Sequence, residues 1–143
     1  MANLFLGAFL LGAQLVASGT GALPEVVTAD YPSSEVAAGR DAAVTLSLNV
    51  RDGYLINHTP PMQLKLQTVP GVTLVQSTLT SPALDPDSTD AYYVNVPDFT
   101  IGVTAQRAGT YTVPGELVYF FCSKADGFCA RQTLNVSVPV VAE

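Results

Sequence analysis

Between residues 43 and 51 the chain alternates without a slip, with Val44, Leu46, Leu48 and Val50 on one parity and Thr45, Ser47, Asn49 and Arg51 on the other. A period of two sends these sets to opposite faces of an extended strand, so the pattern specifies a sheet with one face on a core. A helix would scatter the same apolar residues around its circumference. The rhythm returns at Met62, Leu64 and Leu66, at Phe99, Ile101, Val103 and Ala105, and at Leu134, Val136, Val138 and Val140.

Turn signals separate these runs. Asp52-Gly53, Pro60-Pro61, Pro70-Gly71 and Arg107-Ala108-Gly109 each interrupt an apolar pattern, as Gly and Pro do where the backbone must reverse or cannot donate to a ladder. Further short strands are predicted at residues 54–57, 72–77, 92–96, 110–113, 117–122 and 133–140, after a Pro, Ser and Ala-rich lead-in at 31–39. Residues 78–91 carry Asp85, Asp87 and Asp90 with no period and read as a long loop, an uncommon feature that is often functional. With no helical pattern after residue 23, seven to nine short strands predict an all-β fold, an immunoglobulin-like two-sheet antiparallel β-sandwich.

A length of 143 residues suits a single domain with one core. Residues 1–22 contain no charge, and an apolar run over 4–16 is followed by small residues over 17–22. This segment reads as a signal peptide without the usual positive start, or as an N-terminal anchor, leaving 23–143 as the exported domain. Its apolar run is short against the roughly 20 residues a membrane span needs, so membrane contact is expected only if the segment stays uncleaved. Twelve acidic against six scattered basic residues give a net charge of −6, which argues against nucleic acid as a partner.

The two cysteines, Cys122 and Cys129, are separated by six residues that include Lys124, Ala125, Asp126 and Gly127. A two-residue turn at Asp126-Gly127 would leave the sulfurs diagonal and too far apart to bond. A four-residue loop over 124–127, with Gly127 at positive φ, sets Cys122 directly opposite Cys129 at about 4.5 to 5.5 Å, and this register is the predicted one. The resulting ring would add at most about 2.5 kcal/mol of stability by the loop-entropy model. A hairpin disulfide can also open without parting the two sheets, as a redox carrier requires. Two chemistries stay open on these residues: thiol-disulfide exchange, and a structural disulfide in a non-enzymatic binding or scaffold domain. Two Cys and the single His58 make three metal ligands at best, so neither metal nor cofactor is expected. His58, beside Thr59-Pro60-Pro61, is predicted to be a solvated loop residue rather than a catalytic base.

In the strand at 117–122, Cys122 shares a face with Val118 and Phe120 while Leu117, Tyr119 and Phe121 take the other. Both faces therefore need cover. The loop at 78–91, with Tyr92 and Tyr93, is the expected cover of the cysteine face.

The run from Ala43 through Asp52-Gly53-Tyr54, the stretch from Leu66 through Pro70-Gly71-Val72, and Val118-Tyr119 with Cys122 and Asp126-Gly127-Phe128-Cys129 resemble a known family. It is the disulfide bond corrector domain, the N-terminal periplasmic domain of the transmembrane thiol-disulfide reductase DsbD. The resemblance implies an immunoglobulin-like fold in the periplasm or cell envelope and a relay of reducing equivalents between thioredoxin-fold donors and acceptors. It also implies mixed disulfides through Cys129, resolved by Cys122, and a cap near Tyr92 and Tyr93, with Tyr54, Gly127 and Phe128 as supporting residues. The chain departs from the family in having six rather than five residues between the cysteines, and Ala130-Arg131-Gln132 where prolines commonly follow the second cysteine.

Overall fold

The computed structural model describes residues 23–143, so the proposed leader or anchor at 1–22 lies outside the described residues. Ten strands follow in order: β1 (Val27–Ser33), β2 (Glu35–Val36), β3 (Asp41–Val50), β4 (Tyr54–Ile56), β5 (Gln63–Leu66), β6 (Val72–Leu74), β7 (Thr78–Thr80), β8 (Phe99–Ala105), β9 (Gly109–Ser123) and β10 (Cys129–Ala142). No helix occurs among the described residues. One sheet runs β1-β3-β8-β6, and the other runs β2-β10-β9-β5-β7 with β4 also on β9. All pairs are antiparallel except β2 with β10, which is parallel.

The alternating residues meet between the sheets. Val44 and Leu46 of β3 and Ile101 and Val103 of β8 are fully buried, as are Leu64 of β5 and Leu117, Tyr119 and Phe121 of β9, all within one apolar cluster. Each large side chain so placed contributes about 1.5 to 3 kcal/mol relative to exposure. Burial of Leu117, Tyr119 and Phe121 assigns that parity of β9 to the core, and Cys122 therefore belongs to its outer parity.

Several boundaries differ from the sequence pattern. The lead-in at 31–39 contains the end of β1 and all of β2, and the start of the expected 78–91 loop is β7, paired with β5. The expected strands at 110–113 and 117–122 are one strand, β9, which runs through Pro114. The Pro114 carbonyl accepts from Gln67 N–H at 2.9 Å, at the end of β5. A residue's amide and carbonyl point to the same edge, so the missing N–H of Pro114 costs nothing on the β10 side. Residues 92–96, expected as a strand, form only a single bridge, Asn57 with Tyr92. Tyr93 N–H goes to Ile56 O at 2.8 Å and Val94 N–H to the Asp85 carboxylate at 2.7 Å, so no neighbouring strand continues the ladder.

Candidate functional site

β9 and β10 form a hairpin in which Cys122 pairs with Cys129 and the pairing continues to Gly109 and Ala142. The loop spans the four residues 124–127, closed by Ser123 N–H to Phe128 O at 2.7 Å and Gly127 N–H to Ser123 O at 3.0 Å. Gly127 sits at φ 68°, a left-handed conformation that a side chain disfavours. Asp126 accepts from Phe128 N–H at 3.2 Å, and that bond, with help from Ser123, holds its carboxyl below the usual range. The predicted register is therefore the one observed, and the two sulfurs are bonded. The Cα atoms are 4.0 Å apart, closer than the expected spacing. The flanking Ser123 to Phe128 bond makes this a non-hydrogen-bonded pair, the kind in which facing residues come closest.

The two sulfurs have different surroundings. Cys122 is 4% exposed, with Leu55 of β4 on the strand edge opposite Cys129. Cys129 is exposed, beside the half-exposed ring of Phe128. That ring meets Phe121 edge-on at 6.4 Å between centroids, and the Tyr54 ring meets Phe121 in the same manner at 5.7 Å. Over Cys122 sits Tyr92, whose hydroxyl donates to Cys122 Sγ at 3.6 Å, and the Asn57 side-chain oxygen lies 3.7 Å from the same sulfur. The structure thus gathers Cys122, Cys129, Tyr92, Tyr54, Gly127 and Phe128 around one hairpin.

Tyr93 points elsewhere. It is buried, and its hydroxyl donates to Pro82 O and shares a hydrogen bond with the Ser81 hydroxyl at 2.8 Å. Burial pushes its phenol up, against the hydrogen bond with Ser81. It anchors the cover rather than touching a sulfur. Asp85 accepts from Val94 and Asp87 N–H, and these bonds hold its carboxyl below the usual range.

His58 is a correction to the sequence reading, being only 6% exposed. Its Nε2 faces Asp90 O at 2.7 Å and its Nδ1 faces Ala83 O at 2.9 Å, while its backbone N–H donates to Ala91 O at 2.8 Å. The ring also packs edge-on against Tyr93, centroids 5.5 Å apart. The segment that carries Tyr92 is therefore pinned to the histidine just beyond β4. Asn57 and His58 are the site residues the sequence pattern missed. Their neighbours Thr59-Pro60-Pro61 signal only a loop, whereas Leu55 pairing with Cys122 would have placed Asn57 near the sulfur.

No protein-family model matches the chain, and no curated protein matches it.

Proposed function

We propose that this chain is an exported thiol-disulfide exchange module with an immunoglobulin-like β-sandwich fold, similar to the N-terminal periplasmic domain of DsbD. In this reading Cys129 joins the partner in a mixed disulfide and Cys122 resolves it. Its partners are thioredoxin-fold proteins that donate and accept reducing equivalents, residues 1–22 direct export, and the segment over 81–95, which carries Tyr92, is a cap.

The observation that carries this reading is the asymmetry of one disulfide: Cys129 is an exposed residue and Cys122 a buried one, with the Tyr92 hydroxyl on its sulfur. Exchange proceeds by in-line attack of a thiolate on one sulfur with the other leaving, so access selects which sulfur joins the partner. A further support is position. The bond joins two strands already paired along their whole length, so a purely structural bond would add little there.

The test is a redox titration with thiol alkylation, together with trapping on Cys122→Ser protein. A potential above about −300 mV and a disulfide-linked adduct with a thioredoxin-fold protein are expected. A potential well below that value with no adduct would replace this reading with a non-enzymatic binding or scaffold domain.

A further inference from the structure

Exchange at Cys129, the premise on which this inference rests, leaves one chemical demand unmet. When an incoming thiolate attacks the accessible Cys129 sulfur, a new bond forms from the partner's sulfur to Cys129 Sγ. The Cys122–Cys129 bond breaks, and its electron pair stays on Cys122 Sγ as a thiolate. That charge develops on a sulfur whose residue is 4% exposed. Burial in apolar surroundings disfavours a thiolate and makes it a poor leaving group.

Leu55 and Phe121 flank Cys122 in the sheet, and Lys124, the nearest basic residue in sequence, is exposed. Among the described residues, the polar side chains in contact with this sulfur are the Tyr92 hydroxyl at 3.6 Å and the Asn57 side-chain oxygen at 3.7 Å. The two are complementary. The hydroxyl can donate to a thiolate, whereas an amide oxygen can only accept from a thiol S–H.

We propose that the Tyr92 hydroxyl is a catalytic group of the exchange reaction, donating a hydrogen bond to the Cys122 sulfur as that sulfur leaves, with the Asn57 side-chain oxygen accepting from the S–H once the thiolate has taken a proton from solvent. Tyr92 then has two separable functions. Its ring excludes water and thiols from Cys122, and its hydroxyl stabilises the charge that this exclusion would otherwise penalise. The hydroxyl is held in place by its backbone neighbours: Tyr93 N–H on Ile56 O, the bridge from Asn57 to Tyr92, and the His58 contacts to Asp90 and Ala91 all lie within two residues of Tyr92. A donor fixed beforehand needs no reorganisation when the charge appears.

Tyr92→Phe keeps the ring and removes only the donor, whereas Tyr92→Ala removes both. Two measurements distinguish failure of this proposal from failure of the exchange reading. The first is the pH dependence of alkylation of Cys122 by iodoacetamide, in Cys129→Ser protein and in the reduced native chain. It reports the hydrogen bond whether or not the domain is a relay. Loss of a charge-assisted bond is expected to move the Cys122 titration upward in Tyr92→Phe by about one unit or more. The second is the rate at which dithiothreitol reduces the native disulfide, expected to fall about tenfold or more in Tyr92→Phe. In Tyr92→Ala the Cys122 alkylation rate at high pH should rise, since the shield is gone. An unchanged Cys122 titration and an unchanged reduction rate in Tyr92→Phe would overturn the role of the hydroxyl. A shifted titration in a domain that forms no adduct with dithiol proteins would retain the hydrogen bond and overturn its catalytic use.

Discussion

Cys122 and Cys129 face one another across β9 and β10 with Cα atoms 4.0 Å apart, yet Cys122 is buried, with the Tyr92 hydroxyl on its sulfur, and Cys129 is exposed. Alternation explains little of this, because directly paired residues lie on the same face of a sheet. The difference comes from what lies beyond each cysteine. β4 and the 81–95 segment continue past Cys122, whereas Cys129 begins the outer strand of the hairpin tip.

Single cysteine variants should therefore react unequally. Cys129, freed in Cys122→Ser, should be alkylated about tenfold or more faster than Cys122 freed in Cys129→Ser, at a pH where both are ionised, because modification of Cys122 requires the cover to open first. Mass spectrometry of iodoacetamide time courses gives both rates. Equal rates would mean that Tyr92 does not shield the sulfur.

The hairpin loop and the turn before β6 test backbone conformation in two different ways. A Cβ at Gly127 would meet nothing within 4 Å, so Gly127→Ala carries only the cost of φ 68° and should destabilise by about 1 kcal/mol. At Gly71, φ is 87° and a Cβ would stand 2.7 Å from the Tyr111 ring, so Gly71→Ala should cost more, about 2 kcal/mol or above. Urea unfolding of both variants ranks them, and a Gly127→Ala loss equal to that of Gly71→Ala would refute the distinction.

Much of this was legible because period two survives wherever one sheet face meets a core. Val44 with Leu46, Ile101 with Val103, and Leu64 with Leu66 all landed inside, and loop length with Gly127 was enough to set the cysteine register. What was not legible depended on partners far along the chain. Residues 92–96 have strand-forming side chains but meet a carboxylate and a strand end rather than a strand. His58 sits among loop-forming residues but is buried by carbonyl groups 25 and 32 positions away. Pro114 signals a break locally, and only the end of β5 beside it shows why β9 continues.

His58 should stabilise the cap more than the sheets. Replacing it with Leu removes the ring nitrogens that face Ala83 O and Asp90 O and should cost about 1 to 3 kcal/mol, depending on how far water reaches the freed carbonyls. The loss should be local. Amide exchange should quicken at Tyr93 and Val94 while the β3 and β8 amides keep their protection, and Cys122 freed in Cys129→Ser should be alkylated faster. Uniform loss of protection across both sheets would instead make His58 a general core residue.

Tyr119 and Asp126 predict opposite ends of the stability profile. Tyr119 is 1% exposed and its phenol is pushed up to about 12 from 10.0, first by burial and further by the charge of Glu25, against opposing bonds from the Val27 and Val26 backbone. Its folded-state value is raised, so its contribution is complete below pH 10.0 and is lost as pH climbs toward about 12, where the unfolded chain already carries the phenolate. Asp126 runs the other way. Its folded-state value lies below 3.8, because the carboxylate accepts from Phe128 N–H, so its contribution is present above pH 3.8 and disappears as acid protonates it in the folded hairpin. Thermal unfolding across pH should decline on both sides. Tyr119→Phe should flatten the alkaline limb alone, and Asp126→Asn the acid limb alone. An alkaline decline of the same size in Tyr119→Phe would show that another group governs it.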